Sequence, residues 1–226
     1  MPREIVNHAA VRNHALRLGR NPSETLLDRS YHHAAMTKLQ DNNKRGRPDI
    51  VHFALMEALS TPLFMKGSLH VYVHTIDDKL ITITDNLRIP KSYFRFEGLT
   101  MSLFRDKVVK SDEGMVLMEI SDGTFEDLLN AIKPGRVIGL STTGVQSNAE
   151  KIVAENLGDD CALVVGAFPR GHFSESTTRL LNLTYSISDM GLEAHVVIAR
   201  ILYESEKLLE KGVHHESDEK RRKVRA

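Results

Sequence analysis

The sequence predicts an α/β fold built on a parallel sheet, and three observations carry that prediction. Arg136-Val137-Ile138-Gly139-Leu140-Ser141 and residues 162–168 are apolar runs of strand length, and each enters a glycine-containing loop. Residues 148–157 between them are patterned as a helix, and strand–helix–strand alternation joins parallel strands with helices on the sheet faces. A third apolar run, 181–187, precedes a long helix over 191–211 that is apolar at Val197, Ile201, Leu202, Leu208 and Leu209. Ligands in such sheets bind beyond the C-terminal strand ends, where the glycine loops fall.

The other elements follow in chain order. Residues 4–18 read as a helix with Ile5, Ala9, Ala15 and Leu16 on one side. Ser30 caps a second helix that opens with Tyr31-His32-His33-Ala34-Ala35-Met36. Asp41-Asn42-Asn43-Lys44 is a polar loop, and an apolar helix over 50–59 ends near Thr61-Pro62. Residues 69–75 and 80–84 alternate or are β-branched around Asp77-Asp78, which predicts a hairpin. A loop containing Pro90 covers 85–93, a helix 98–109, and a short strand 116–120 that turns at Asp122-Gly123. Thr124 caps a helix that ends at Ile132. The reading is one domain over 1–215, with a hairpin-containing insertion at about 66–122, and a charged tail over 216–226.

Composition narrows the function classes. Hydrophobic residues make up 41% of 226, enough to build a sizeable core. The formal net charge is zero, so a whole-chain basic signal for nucleic acid is absent. Positive charge is local instead, at 44–47, 88–95 and 219–225, against an acidic middle of Asp112, Glu113, Asp122, Glu126 and Asp127. The single cysteine, Cys161, rules out a disulfide framework and a cysteine zinc site, and fits a reducing cytoplasm. No apolar run reaches membrane-spanning length, and residues near the start lack a signal-peptide core.

Arg45-Gly46-Arg47-Pro48-Asp49-Ile50-Val51-His52 is the stretch with the most chemistry in it. Pro48 fixes its own φ and drives Arg47 out of the helical region, so Arg47 and Asp49 sit at the rim of a helix. A guanidinium suits phosphate or a base edge, and a carboxylate suits an N–H donor. The plainer reading is a helix start with Asp49 placed favourably for the dipole. Elsewhere, no Gly-x-Gly-x-x-Gly fingerprint and no Walker-type lysine loop occurs, which disfavours dinucleotides and nucleoside triphosphates. Gly144, Gly166 and Gly171 either let backbone approach a ligand or serve as ordinary turn glycines. The pairs His32-His33 and His214-His215 lack the carboxylate or cysteine spacing of a metal site and read as surface or core histidines. Cys161 reads as a packed small hydrophobe, and Ser141 and Ser174 lack the context of a hydrolase triad.

Three co-occurring groups of motifs carry a resemblance. They are residues 27–36 with 45–52; the basic stretch Asn86-Leu87-Arg88-Ile89-Pro90-Lys91-Ser92-Tyr93-Phe94-Arg95-Phe96; and Ile138-Gly139-Leu140-Ser141 with residues 165–173 and 183–200. Together they resemble the ribosomal small-subunit pseudouridine N1-methyltransferase family, of the SPOUT superfamily, over about residues 4–210. The resemblance implies a SPOUT-type sheet with a deep C-terminal trefoil knot, a homodimer, and S-adenosylmethionine bound in the knot largely by backbone groups. Cofactor positions carried over by motif are Leu140, Ser141, Thr142, Gly166, Gly171, His172, Ser186, Ile187 and Leu192.

For the RNA, the resemblance implies Arg47 and Asp49 as the catalytic pair, with Arg47, Arg88, Lys91 and Arg95 on the small-subunit rRNA. Lys91 stands where some relatives carry a third arginine, so it meets phosphate as a point charge without the bidentate fork. Pseudouridine is attached through carbon, which leaves its ring N1–H free. An unperturbed aspartate, with a pKa of about 3.9, is a weak base for that proton, so Asp49 is expected to orient the base. The family pattern also places an apolar strand ahead of the segment matching 4–20, whereas this chain starts almost at the helix; a missing strand would uncover a sheet position and weaken cofactor binding. Two other functions fit parts of the pattern. One is a SPOUT enzyme acting on tRNA or a ribose hydroxyl, against which the Arg47–Asp49 pair and basic loop argue. The other is an rRNA-binding ribosome-assembly factor whose methyl transfer is dispensable. The basic tail reads as a solvated end.

Overall fold

The computed structural model describes residues 1–85, 87–156 and 160–223, the stretch 211–223 as backbone alone. The predicted positions Asn86 and Leu157, and the side chains of the charged tail, lie outside the described residues.

The chain opens with α1 (Ala9–Leu18), later than the predicted start at residue 4. The shift changes its inner face: Val11, His14 and Ala15 are buried, while Leu16 is 80% exposed. Ile5 is still buried, in the turn ahead of the helix. α2 (Arg29–Met36) is capped by Asp28, not Ser30. Asp28 has extended backbone, and its carboxylate accepts from the Ser30 N–H at 2.8 Å. α3 (Pro48–Leu59) starts two residues before the predicted helix because Pro48 fits the first helical position, where no N–H is needed. A short α4 (Pro62–Met65) follows, capped by Thr61.

The strands between residues 72 and 122 form an antiparallel sheet. β1 (Tyr72–His74) and β2 (Lys79–Ile83) make the predicted hairpin. α5 (Tyr93–Asp106) begins five residues ahead of the predicted Gly98, so Tyr93, Phe94 and Arg95 are helical rather than loop residues. It stops at Lys107, whose φ of 67° breaks the helix, and β-branched Val108 and Val109 open β3 (Val108–Lys110), where helix was expected. β4 (Val116–Asp122) pairs with both β2 and β3, giving the order β1-β2-β4-β3. Its inner face packs Ile81, Ile83, Met118 and Ile120 against Leu55 and Leu59 of α3 and Phe96 and Leu103 of α5. α6 (Phe125–Ile132) carries a reciprocal capping box between Thr124 and Asp127.

The second half is the predicted parallel unit. β5 (Arg136–Gln146) runs five residues beyond the expected end at Ser141. α7 (Ala149–Asn156) leads to β6 (Cys161–Val165), shorter than expected because the chain leaves the sheet at Gly166. α8 (Glu175–Arg179), which the sequence did not suggest, leads to β7 (Leu183–Ser186). The sheet order is β6-β5-β7, all parallel. α9 (Ala194–Lys223) is longer than the predicted 191–211 and covers the sheet with α7: Ile152, Val153 and Ile201 bury Leu140. α9 also packs against α3, joining the two halves. Among the described residues, no helix is long and apolar enough to cross a membrane.

One buried polar chain ties the two N-terminal helices to the start of α5. The Tyr93 hydroxyl donates to Asp28 at 2.8 Å. The Asp28 N–H donates to His32 Nδ1 at 3.0 Å, which leaves the proton of neutral His32 on Nε2, 3.1 Å from His14 Nδ1. Burial lowers the pKa of both histidines, that of His32 to about 4, with His14 adding to the effect; Asp28 opposes it, and Arg17 also lowers His14. An unfolded histidine titrates near 6.5, so acid protonates the unfolded chain before the native one. Stability is therefore full above pH about 6.5 and falls as pH drops towards 4. The thermal midpoint, followed by circular dichroism, is expected to decline across that window. His32→Gln, which keeps a donor and an acceptor but does not titrate, should flatten the decline.

Candidate functional site

The C-terminal ends of the three parallel strands meet in register. Leu140 of β5 stands beside Val165 of β6 and Tyr185 of β7. Tyr185 also pairs with Val145, so residues 141–144 leave the ladder between two rungs. Gly144 allows this: a Cβ there would stand 2.6 Å from the backbone of Thr184 and Tyr185. Main chain thus passes main chain with no room for a side chain. The Ser147 N–H donates to the Ser186 carbonyl at 2.9 Å and closes the crossing.

The loop after β6 folds back over its own strand. A Cβ on Gly166 would meet the Phe168 ring at 2.6 Å, and Phe168 packs edge-on to Phe173. Gly171 has φ of 94°, and its open side faces the Lys44 stem, while the Lys44 ammonium lies 5.6 Å from the centre of the Phe168 ring. Of the positions expected to hold the cofactor, Leu140 lies within β5 beside the end of β6, Gly166 directly follows β6 and Ser186 ends β7; Ser141 and Thr142 continue along β5, and Ile187 follows β7. The hydroxyls turn inwards on their own loops: Ser186 donates to the Ser188 carbonyl at 2.7 Å, and Ser141 lies 3.0 Å from the Thr143 hydroxyl. Gly171 and His172 are exposed on the loop that meets Lys44, and Leu192 is half-buried just ahead of α9. A cradle of main chain, with an apolar floor of Leu140 and Ile187, fits a ligand held through backbone groups.

Arg47 and Asp49 form a fork. Arg47 Nε lies 2.8 and 3.0 Å from the two carboxylate oxygens, and Nη2 lies 2.7 Å from one of them. Arg47 takes the N-cap position with φ −128° and ψ 66°, outside the helical region as Pro48 requires, and Asp49 sits in the first turn. The Arg47 hydrogen bond holds the Asp49 carboxyl below the usual carboxylate range, outweighing partial burial. It raises Arg47 in turn, and Glu193, in the loop beside Leu192, contributes to that rise. Arg47 Nη1 and one Nη2 hydrogen remain available, as do carboxylate lone pairs on Asp49. Arg47, Leu140, Gly166 and His172 line one open cavity of about 1800 Å³, which also runs along the free edge of β6.

The basic stretch is held beside this fork. His52 Nε2 is 2.7 Å from the Pro90 carbonyl, and its ring stacks on Phe96. Leu87 and Phe96 are buried, whereas Arg88, Lys91 and Arg95 are exposed. None of these three cations forms an ion pair among the described residues. Sequence reasoning missed the residues that fix this arrangement, Asp28, His52 and Tyr93. Asp28 two residues before Ser30 was the available signal for the first, since either residue can cap. The partners of His52 and Tyr93 are 38 and 65 residues away, and no local pattern encodes them.

The chain also has clear relatives. The chain is 37% identical over 208 residues to a protein of Staphylothermus marinus named ribosomal RNA small subunit methyltransferase Nep1, covering 92% of this chain and 90% of that one. It is 40% identical over 201 residues to the protein of that name from Saccharolobus solfataricus, covering 89% and 88%. The crystal structure of Archaeoglobus fulgidus Nep1 bound to S-adenosylhomocysteine superposes with a TM-score of 0.80 at 34% identity, over 92% of this chain and 93% of that one. A family model described as EMG1/NEP1 methyltransferase matches residues 2–206, and the chain belongs to that family.

Proposed function

We propose that the chain is an S-adenosylmethionine-dependent methyltransferase that methylates N1 of a pseudouridine in small-subunit rRNA and serves ribosome biogenesis in the cytoplasm. The observation that carries this reading is the cavity that Arg47, from the fork, shares with Leu140, Gly166 and His172; Asp49 reaches it through its bond to Arg47, and the other cofactor positions are outside its lining. The names of the relatives and the S-adenosylhomocysteine complex of the neighbour supply the reaction class and the rRNA. The proposed fold of this half includes the deep trefoil knot that the family resemblance implies. The proposed unit is one SPOUT domain over 1–215, working as a homodimer, with the antiparallel sheet as an insertion at about 66–122. Ribosome-assembly proteins are proposed partners.

The cofactor positions are Leu140, Ser141, Thr142, Gly166, Gly171, His172, Ser186, Ile187 and Leu192. Bound there, S-adenosylmethionine would supply a methyl group on a sulfonium centre. The chain's own residues orient the acceptor. Asp49 keeps its charge well below neutral pH, so it is a poor base and a good acceptor for the pseudouridine N1–H; as the N1–methyl bond forms and the methyl–sulfur bond breaks, the N1 proton would pass to solvent water. Its bond to Arg47 fixes the carboxylate, and fixing the ring nitrogen roughly 3 Å from the methyl carbon is the main gain a positioning site offers. The free Arg47 hydrogens stabilise negative charge developing on the uracil ring. Arg88, Lys91 and Arg95 hold flanking phosphates, which set affinity rather than chemistry.

Labelled cofactor and two hairpin RNAs, identical except for pseudouridine or uridine at one loop position, test the reading. Methyl transfer to the pseudouridine hairpin alone is expected; binding without transfer would favour the assembly factor, and transfer to a ribose hydroxyl would favour the other SPOUT reaction. Asp49→Asn should lower the single-turnover rate more than hairpin affinity, because only the rate depends on the reacting nitrogen. Collapsed affinity with normal turnover of bound RNA would remove that role.

Gly166→Val should abolish S-adenosylhomocysteine binding in calorimetry, since a branched side chain displaces the Phe168 ring from the strand end. Unchanged affinity would take this loop out of the site.

Over a salt series, Arg88→Ala and Arg95→Ala should each weaken hairpin binding and lower the logarithmic salt slope by about 0.7. Lys91→Arg should preserve or tighten binding by restoring the fork. Slopes unchanged in both alanine variants would move the RNA path elsewhere.

A further inference from the structure

Phe94 is 72% exposed on the first turn of α5, and its neighbours make that exposure informative. A single surface phenylalanine is ordinary. Here Arg95 follows it directly, and Lys91 and Arg88 precede it by three and six residues, all exposed and without an ion pair among the described residues. The ring is also held outwards by what flanks it. Tyr93 is tethered to Asp28 through its hydroxyl, and Phe96 is buried against His52. With residues 93, 96 and 97 committed to the interior, position 94 faces away from the core. One turn further along, a Cβ on Gly98 would meet nothing within 4 Å, so the helix surface beside the ring is open.

We infer that Phe94 is a stacking platform for an unpaired base of the RNA loop, beside the nucleotide that Arg47 and Asp49 hold. The inference rests on the rRNA reading and adds a residue to it. Cations that bind phosphates fix the strand's path, and an aromatic face among them takes a base of any sequence, because every base presents a π-face. The ring's anchored neighbours mean that little backbone freedom is lost when the base arrives. A second copy of the chain is the competing occupant, and the three exposed cations of the same stretch, unpaired among the described residues, make a like-charged surface a poor match.

The chain contains no tryptophan, so Phe94→Trp creates a single reporter. With the pseudouridine hairpin, its emission should be quenched on binding. Phe94→Ala should weaken binding about five-fold to a hundred-fold, the range for removing one stacked base, with the salt slope unchanged. Phe94→Tyr should restore affinity. A loop nucleotide lacking its base should bind wild type and Phe94→Ala equally. Unchanged emission on binding, with Phe94→Ala as tight as wild type, overturns the inference; methyl transfer by wild type would then leave the rRNA reading standing. Emission that depends on protein concentration without RNA assigns the ring to a contact between copies and also overturns it. No binding and no transfer by wild type removes the rRNA reading and this inference together.

Discussion

The arrangement of the site depends on one buried carboxylate. Asp28 caps α2 through one oxygen, accepts the Tyr93 hydroxyl through the other, and donates its own N–H to His32. A buried carboxylate is costly unless each lone pair is used, and here the donors come from two elements far apart in sequence. The next residue extends the link: the Arg29 N–H donates to the Gly46 carbonyl at 2.8 Å, immediately ahead of Arg47. Gly46 has φ of 77°, and a Cβ there would press on Met36 and on the Arg29 nitrogen. Two adjacent residues thus set the start of the helix that carries the fork and the start of the helix that carries Arg95. Burial and Asp28 push the Tyr93 phenol up, so it remains a donor throughout the physiological range.

The parallel sheet contributes geometry of a different kind. Its strand ends offer backbone and an apolar floor of Leu140 and Ile187, a surface that no side-chain fingerprint in the sequence announces. Gly139, Gly144 and Gly166 are positions in this half where a Cβ would stand 2.5 or 2.6 Å from a neighbouring atom, so the shape of the sheet end leaves no room for side chains there. Lys44 joins this half to the other, because its stem lies against Gly171 and its charge over Phe168 while its chain leads directly into Arg45 and Arg47.

Zero net charge is compatible with RNA binding because the charges are sorted in space. Asp122 pairs with Lys79 and Asp77 with Arg45, so part of the acidic charge of the antiparallel sheet is neutralised by nearby cations. The basic stretch keeps its cations unpaired among the described residues while its apolar members, Leu87 and Phe96, anchor it in the core. An electrostatic footprint of three or four cations suits a short single-stranded segment more than a long duplex.

The sequence by itself determined the α/β class, the parallel unit, the hairpin and the Arg47–Asp49 helix start, because each rests on local rules: apolar periodicity, glycine and proline punctuation, and capping chemistry. It also carried the family, through motifs dispersed over the chain. It misplaced boundaries wherever two local choices competed. Ser30 and Asp28 were both eligible caps, and Leu16 lay on an apolar face only if the helix began at residue 4. What only the tertiary structure decided were the long-range contacts: Tyr93 on Asp28, His52 on the Pro90 carbonyl, and Gly144 against the main chain of β7. Each joins segments roughly 40 to 65 residues apart, and a contact at that distance is selected by the packing of the whole core, which no local window of sequence contains.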